Sequence, residues 1–308
     1  MARIVICEFM DENAVARLAR DHAVLYDAAL VDDPAQLQRR VTDVDGLIVR
    51  NRTQVRGPLL DAMARCKVVG RLGVGLDNID VDACTARGIA VIPATGANAQ
   101  SVAEYVVSTA MLLLRGTYLS TDAVAAGRWP RAALSNGREI GGKTLGLIGF
   151  GSIGRATAAI AKGLGMRVVA FDAAIGPADA AFASAGVEAV SLDALLSTAD
   201  VVSLHVPLAD STRHLLDAAR IAAMKRGSVL INTARGGIVD EAAVAAALKT
   251  GQLGGAALDV FESEPLGAAN PFAGCPNLLL TPHVAGVSIE SNERVSFLIA
   301  DKVAEALR

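Results

Sequence analysis

A glycine-rich turn between two short apolar runs constrains this chain more than any other stretch. Residues 143–148 form a run of strand length, and they are followed by Gly-Phe-Gly-Ser-Ile-Gly at residues 149–154 and then by a segment rich in helix formers. A second apolar run begins at Arg167 and ends at Asp172. Strand, tight turn, helix, strand and terminal acid in this order predict a βαβ unit that binds a dinucleotide.

Each glycine of the turn has its own steric task. Gly149 permits the tight turn, Gly151 lets a pyrophosphate approach bare backbone, and Gly154 lets helix and strand pack closely. The free N–H groups of the first helical turn then face the phosphates. The carboxylate of Asp172 can bind both ribose hydroxyls and would repel a 2′-phosphate, and residues 173–177 contain no Arg or Lys. The pattern therefore predicts NAD, in preference to NADP, as the cofactor.

Composition narrows the class of protein. With 308 residues, 52% of them hydrophobic and only 4% aromatic, the chain can form two domains in which helices pack on parallel sheets. A net charge of −3 favours neither nucleic acid nor an anionic membrane as a partner. No apolar run reaches the roughly 18 residues that span a bilayer, and the N-terminus lacks a signal-peptide pattern. We therefore expect a cytoplasmic protein.

The number and spacing of the cysteines are those expected of a protein in a reducing compartment. They lie far apart, without metal-like or redox spacing, at Cys7, Cys66, Cys84 and Cys275. This distribution favours buried free thiols and predicts no metal site.

Strand-like and helix-like segments alternate on both sides of the glycine turn. Strands are predicted at residues 4–7, 46–50, 68–72 and 89–92, and later at 201–206, 228–233, 256–260 and 278–281. Helices are predicted at residues 13–20, 34–41, 58–65, 81–87, 215–224 and 240–249. This alternation predicts an α/β protein with two doubly wound parallel-sheet domains, Rossmann-like or flavodoxin-like, and an active site in the cleft between them. The second sheet is expected to have six or seven strands.

Three further segments organise the domains. Residues 98–116 predict a long connecting helix that begins at a capping box formed by Ser101 and Glu104. Residues 120–142 are irregular and predict either an arm that packs on a partner subunit or an ordered surface loop. A terminal helix is expected from residue 289 onward.

The predicted domain boundaries follow from these segments. Residues 1–98 with 288–308 form the expected substrate-binding domain, and residues 99–287 the expected NAD-binding domain.

Three polar stretches follow apolar strands, at residues 232–237, 259–265 and 281–286. Ligands of an open parallel sheet bind outside the carboxyl ends of its strands. The guanidinium of Arg235 can grip a carboxylate by two hydrogen bonds, and the imidazole of His283 can exchange the proton of a carbinol. With an acid to orient the imidazole and a hydride from nicotinamide, this set can interconvert a 2-keto acid and a 2-hydroxy acid.

With these motifs the chain resembles the D-2-hydroxyacid dehydrogenases from end to end. The matching segments are residues 71–80, Asn98 with residues 101–104, and residues 205–207, 232–237, 257–261 and 282–283. One departure is Ala99, where the family often has Thr, and it puts one polar contact near the cofactor in doubt.

The resemblance implies roles for individual residues. Arg235 would bind the substrate carboxylate, His283 would be the acid/base and Glu264 its partner. Asp259 would hold the nicotinamide carboxamide, although it could instead only cap a loop. The other implied cofactor contacts are Gly149, Gly151, Ser152, Ile153, Gly154, Asp172, His205, Val206, Pro207, Thr212, Thr233, Ala234, His283, Ala285 and Gly286. The implied substrate contacts are Arg50, Asn51, Gly73, Val74 and Gly75, with Arg235 and His283.

The remaining histidines have a different interpretation. His22 is predicted to be a surface residue, and His205 and His214 are predicted to be structural.

The sequence is compatible with several substrates that are used within the family. The chain looks most like the 3-phosphoglycerate dehydrogenase branch, and an end at residue 308 leaves no room for a C-terminal regulatory domain. Residues 7–12 are also similar to the (S)-sulfolactate dehydrogenases, and Arg50 could bind a distal sulfonate or phosphate. We therefore expect oxidation of (S)-3-sulfolactate to 3-sulfopyruvate, with 3-phosphoglycerate dehydrogenase or glyoxylate/hydroxypyruvate reductase activity as alternatives. The resemblance also implies a homodimer, and an NADH-sensing co-repressor is the alternative from another class.

Overall fold

Short apolar runs form the strands of two separate sheets in a computed structural model that describes residues 1–308, apart from the side chain of Leu119. The chain separates into two units, Met1–Asn98 with Val287–Arg308, and Ala99–Gly286. The assignment of one unit to the substrate and the other to NAD stays a prediction.

The first unit contains a five-stranded parallel sheet in the order β2-β1-β3-β4-β5. Its strands are β1 (Arg3–Ile6), β2 (Ala23–Tyr26), β3 (Gly46–Val49), β4 (Val68–Arg71) and β5 (Ala90–Pro93). Its helices are α1 (Glu12–Leu18), α2 (Pro34–Arg40), α3 (Gly57–Ala62), α4 (Val81–Ala86) and the last helix of the chain, α12 (Ile289–Ala306).

The second unit contains a seven-stranded parallel sheet in the order β12-β11-β10-β9-β6-β7-β8. Its strands are β6 (Thr144–Ile148), β7 (Arg167–Phe171), β8 (Glu188–Ala189), β9 (Val201–Leu204), β10 (Ser228–Asn232), β11 (Leu253–Leu258) and β12 (Leu278–Leu280). Its helices are α5 (Ala99–Arg115), α6 (Thr121–Ala125), α7 (Ser152–Gly163), α8 (Ala180–Ala185), α9 (Leu192–Thr198), α10 (Ala218–Ala223) and α11 (Glu241–Thr250). The predicted fold class of two parallel-sheet α/β domains is confirmed.

Both faces of each sheet are covered, which explains why the central strands are almost entirely apolar. Successive side chains of a strand point to opposite faces. In β3, Leu47 and Val49 belong to one hydrophobic cluster, whereas Ile48 between them belongs to the other. In β10, Leu230 and Ile231 are divided between two clusters in the same way. Both faces are therefore covered by apolar side chains, as parallel sheets require.

One short edge strand, β8, and three short helices, α6, α8 and α9, were missed by the sequence prediction. Strand β2 pairs only with β1 and is partly exposed, and β8 has only two residues. A strand of two residues is too short to show a periodic pattern in the sequence. Helices α6, α8 and α9 have only five, six and seven residues, too few for helical periodicity to be visible in the sequence.

The predicted helix at residues 98–116 exists, but its predicted capping box is wrong. Helix α5 begins at Ala99, so Ser101 lies inside the first turn and not before it. The helix belongs to the second unit, where it packs on α7, β10 and β11. Its apolar spacing therefore serves the core of that unit.

The terminal helix α12 is a core element of the first unit. It packs on α1, β4 and β5, and Ile299 and Val303 are fully buried. A Cβ added to Gly70 of β4 would lie 2.7 Å from a methyl group of each of them. The absence of a side chain at Gly70 thus lets the helix lie directly on the strand.

No helix among the described residues is long and apolar enough to cross a membrane. Cys7, Cys66 and Cys84 are buried free thiols, and Cys275 is a partly buried one.

The packing of α12 leads to a stability prediction. Ile299→Ala should lower the free energy of unfolding by about 2–5 kcal/mol, because it opens a cavity in a fully buried contact. Ile289 belongs to the same helix but is 84% exposed, so Ile289→Ala should change it by less than about 0.5 kcal/mol. Urea unfolding of both variants measures the difference. Equal effects would show that α12 is not part of the core.

Candidate active site

Predicted site residues of the second unit lie at the carboxyl edge of the seven-stranded sheet. Gly149 follows β6, Asp172 follows β7, and His205 follows β9. Thr233 follows β10, and Asp259 follows β11. All of these strands are parallel, so their carboxyl ends lie at one edge of the sheet.

Close backbone contacts explain two glycines of the turn at 149–154. A Cβ added to Gly149, whose φ is +99°, would lie 2.5 Å from the carbonyl oxygen of His205. A Cβ added to Gly154 would lie 2.4 Å from the carbonyl oxygen of Gly149. Around Gly151, by contrast, an added Cβ would meet no described heavy atom within 4 Å. The first and third glycines are needed for packing, and the second faces open space.

The start of α7 has no side-chain cap among the described residues, unlike the starts of several other helices. In α1, α9 and α11 the N-terminal N–H groups donate to the side chains of Asp11, Ser191 and Asp240. Helix α7 begins at Ser152 after the N-cap residue Gly151, and among the described residues no side chain caps it. Its first-turn N–H groups, beside Ser152 and Ile153, can therefore bind an anion.

Asp172 is held next to this turn by backbone hydrogen bonds. Its two carboxylate oxygens accept the N–H groups of Phe150 at 2.7 Å and Ala174 at 2.8 Å. Each oxygen keeps a further lone pair for a ribose hydroxyl. The open glycine, the uncapped helix and the oriented acid fit the pyrophosphate and ribose of NAD.

Side-chain hydrogen bonds within and next to the segment after β9 fix its conformation. The ring of His205 is buried, although the residue as a whole keeps some exposure, and its Nε2 lies 3.0 Å from Ser203 Oγ. Burial lowers the pKa of His205 to about 4, so the ring is neutral at physiological pH. The hydroxyl of Thr212 donates to Pro207 O at 2.7 Å and accepts from Ala209 N at 2.8 Å. These contacts shape the turn that contains Val206, and the adenine contacts stay a prediction.

Arg235 lies in a loop that the side chain of Asn232 closes. Asn232 Nδ2 donates to Arg235 O at 2.9 Å, and its Oδ1 accepts the N–H of Ala234 at 3.0 Å. A Cβ added to Gly236 would lie 1.8 Å from the carbonyl oxygen of Phe261. The missing side chain thus lets the Arg235 loop approach the loop that carries Glu264. The Oγ1 atom of Thr233 is buried without a partner among the described atoms, as expected for a group that binds a ligand.

Glu264 and His283 form the central pair of the site. His283 Nδ1 lies 2.8 Å from Glu264 Oε2, and Glu264 Oε1 accepts the N–H of Phe261 at 3.0 Å. The His283 side chain is 40% exposed. With Nδ1 engaged, Nε2 is the nitrogen that can transfer a proton to a ligand.

The backbone of His283 has φ = +57°, a left-handed conformation that non-glycine residues seldom adopt. Its N–H donates to Asp259 O at 2.8 Å. Such conformations cluster at functional sites, where the surrounding hydrogen bonds impose them.

The carboxylate of Asp259 imposes this conformation. The residue is 1% exposed, and its oxygens accept the N–H of Val284 and of Ala285, both at 2.8 Å, and the hydroxyl of Thr281 at 2.6 Å. The alternative of a loop cap is therefore present in the structure, and a contact with the nicotinamide stays a prediction. Gly286 ends the same turn.

Sequence reasoning missed Tyr105, which extends this network. Its hydroxyl lies 2.6 Å from Thr281 Oγ1, and burial raises its pKa. Its spacing in α5 suggested only a core position, and nothing local in the sequence relates it to a threonine 176 positions away.

In the first unit, the loop after β3 contains the predicted substrate residues Arg50 and Asn51. Glu8, which is 4% exposed, accepts the N–H groups of Arg50 at 2.8 Å, Arg52 at 3.2 Å and Thr53 at 3.0 Å. From the other side, Asn78 Nδ2 donates to the carbonyl oxygens of Arg50 and Thr53. These two side chains, which the sequence analysis did not select as site residues, fix the loop.

The other predicted substrate segment follows the neighbouring strand β4. Gly73 is buried, Val74 is 37% exposed and Gly75 is half-buried. Because β3 and β4 are parallel neighbours, this segment and the Arg50 loop lie at the same edge of the five-stranded sheet.

Comparison with known proteins supports a single family. Residues 107–285 match the family described as D-isomer specific 2-hydroxyacid dehydrogenase, NAD binding domain. The chain is 56% identical to an (S)-sulfolactate dehydrogenase of Chromohalobacter salexigens, over 100% of this chain and 99% of that protein.

More distant relatives agree with this assignment. A D-3-phosphoglycerate dehydrogenase of Methanocaldococcus jannaschii is 37% identical over the whole of this chain, which spans only 58% of that longer protein. Among solved structures, the TT0316 protein of Thermus thermophilus is similar with a TM-score of 0.88 and 33% identity, covering 99% of this chain and 96% of that one.

The family predicted from the motifs, the reaction class and NAD as cofactor are therefore confirmed. This chain belongs to the D-isomer-specific 2-hydroxyacid dehydrogenases, oxidoreductases that act on a CH–OH group with NAD.

Proposed function

We propose that this enzyme interconverts (S)-3-sulfolactate and 3-sulfopyruvate. The proposal rests on the position and partner of Arg50. This residue follows β3 at the carboxyl edge of the five-stranded sheet, and its Nη2 donates to Oδ1 of Asn292, a neutral side chain, at 3.0 Å. A cation held in this way suits the distal anionic group of a substrate. The 56% identity with an (S)-sulfolactate dehydrogenase supports the same substrate.

The stereochemical label agrees with a D-specific family. In sulfolactate the carbon that bears sulfur outranks the carboxylate, which changes the descriptor of the D arrangement from R to S. The hydroxyl group therefore keeps the same place relative to the carboxylate.

The residues of the second unit supply the chemistry of the reduction. Arg235 binds the carboxylate of the keto acid through two hydrogen bonds. His283, as the imidazolium, donates a proton from Nε2 to the ketone oxygen, and it takes that proton back in the oxidation. Glu264 holds Nδ1 and so fixes the orientation of the ring. NADH, when bound, supplies the hydride that adds to C2.

The role of His283 leads to a kinetic prediction. His283→Ala should lower kcat by about 10²–10⁴-fold, because general acid catalysis contributes that much. NADH binding, followed by fluorescence, should survive. The matched control is His214→Ala, since His214 forms a similar pair with Glu262 at 3.0 Å. Unchanged turnover in His283→Ala, or an equal loss in the control, would rule out the assignment.

The role of Arg50 leads to a prediction about substrates. NADH oxidation would be measured with 3-sulfopyruvate, 3-phosphohydroxypyruvate, hydroxypyruvate, glyoxylate and pyruvate, with NADPH as the paired control. Arg50→Ala should lower kcat/KM for 3-sulfopyruvate by about 10- to 100-fold, the value of a hydrogen bond to a charged group. Arg52→Ala is the control, because Arg52 already forms an ion pair with Asp32.

The same panel tests the alternatives. Preference for 3-phosphohydroxypyruvate would favour 3-phosphoglycerate dehydrogenase, and preference for hydroxypyruvate or glyoxylate would favour a reductase of those acids. Equal rates with all five acids would contradict a charged distal contact. Absence of turnover on all of them would favour the co-repressor alternative.

We also propose that the enzyme is a cytoplasmic homodimer without a nucleic-acid partner. Buried free thiols suit a reducing compartment, and the net charge of −3 does not favour nucleic acid. Apolar side chains are exposed along one stretch of the second unit: Met111 by 43%, Tyr118 by 64%, Val124 by 44% and Trp129 by 77%. Exposed apolar residues grouped in this way are typical of an interface.

The dimer can be tested by light scattering. The mass should be twice that of one chain, and Trp129→Asp should shift it toward the monomer, because a buried unpaired carboxylate opposes association. A monomeric mass of the unmodified protein would contradict the proposal.

A further inference from the structure

The side chain of Arg50 is held by two neutral groups. Its guanidinium carbon lies 5.8 Å from the ring centroid of Phe9, and its Nη2 donates to Asn292 Oδ1 at 3.0 Å. Phe9 follows β1 and Arg50 follows β3, and these strands are parallel neighbours. Phe9 is 51% exposed, so its ring is accessible from solvent as well as in contact with Arg50. The ring thus covers one face of the guanidinium and leaves its N–H edge for a ligand.

The positive charge of Arg50 is not neutralised by a salt bridge to any residue that the structure describes. Among the described residues Arg50 forms no salt bridge, whereas the neighbouring Arg52 is paired with Asp32. The carboxylate of Glu8 lies under the same loop, and its charge opposes the lowering of the Arg50 pKa that burial causes. Arg50 therefore offers one positive charge to a ligand. The next arginine of the same loop, Arg52, is already paired with Asp32.

We propose that Phe9, together with Asn292, makes Arg50 a receptor for a singly charged tetrahedral group, a sulfonate, in preference to a doubly charged phosphate. This inference rests on the proposed function and names the residues that set its specificity. Phe9 and Asn292 are positioning residues, because they act on the substrate through Arg50.

The physical argument has two parts. A sulfonate carries a single charge, whereas a phosphate monoester carries about −1.5 to −2 at pH 7 and needs a second cation for compensation. In addition, a guanidinium is weakly hydrated, and a ring against its face keeps water away from it. Such a cation matches the weakly hydrated sulfonate better than the strongly hydrated phosphate dianion. The amide NH2 of Asn292 brings two further neutral donors close to the same group.

The test is the ratio of kcat/KM for 3-sulfopyruvate to that for 3-phosphohydroxypyruvate, with pyruvate as the reference that lacks a distal group. Phe9→Leu keeps an apolar side chain but removes the ring face, and it should lower the ratio by about fivefold, the typical value of a cation–π contact. Phe9→Tyr keeps the ring and should restore the ratio. The loss should appear mainly in KM, because Arg50 binds the substrate and does not take part in the chemical step.

A matched control exists in the same unit. Arg17 lies over the ring of Phe297 at 5.9 Å, so Phe297→Leu removes an equivalent contact elsewhere and should leave the ratio unchanged. Melting temperatures of all variants separate unfolding from a change in specificity. A second variant, Asn292→Lys, adds a cation beside Arg50 and should shift the ratio toward the phosphate by at least about fivefold.

The outcomes distinguish this inference from the proposed function. An unmodified enzyme that prefers 3-sulfopyruvate, and whose preference survives both Phe9→Leu and Asn292→Lys, would overturn the roles of Phe9 and Asn292 alone. An unmodified enzyme that uses 3-phosphohydroxypyruvate equally well would overturn both the substrate and the charge match. A lower ratio in Phe9→Leu but not in Phe297→Leu supports the inference.

Discussion

Parallel pairing of the strands is the constraint on which the rest of this structure depends. Every strand of both sheets pairs in parallel with its neighbours. Parallel strands need crossover connections, which cover both faces of the sheet with helices and make the central strands apolar. The same pairing brings the carboxyl ends together at one edge, where loops far apart in sequence become neighbours.

Acidic side chains then fix the loops at these edges. Glu8 binds three N–H groups of the Arg50 loop, and Asp259 binds two N–H groups and a hydroxyl of the His283 turn. Asp172 binds the glycine turn through Phe150. Hydrogen bonds to a charged acceptor are worth about 1.5–3 kcal/mol each, more than those between neutral groups. They hold the site in place before a ligand arrives, which is how binding and catalytic groups gain their effect.

The residues proposed for the chemistry and those proposed for distal recognition belong to different units of the chain. Arg235, Glu264 and His283 lie on three loops of the second unit, and all three could be selected from the sequence because each follows an apolar strand. Arg50 lies in the first unit, where its partners come from the beginning and the end of the chain, at Phe9 and Asn292. Under the proposed roles, the residues that recognise the distal group can change while the reacting residues stay the same.

The sequence by itself determined the fold class, the cofactor and the reaction class, because each depends on a local pattern. The glycine turn, the acid at Asp172 and the strand-like runs are all continuous in the chain. Only the tertiary structure decided that Tyr105 joins the Thr281 hydroxyl, that Glu8 and Asn78 clamp one loop, and that β2 completes the first sheet. These contacts join residues up to 176 positions apart. Their side chains resemble ordinary core or surface residues until folding brings them together, because a hydrogen bond depends on distance in space and leaves no periodic signal in the chain.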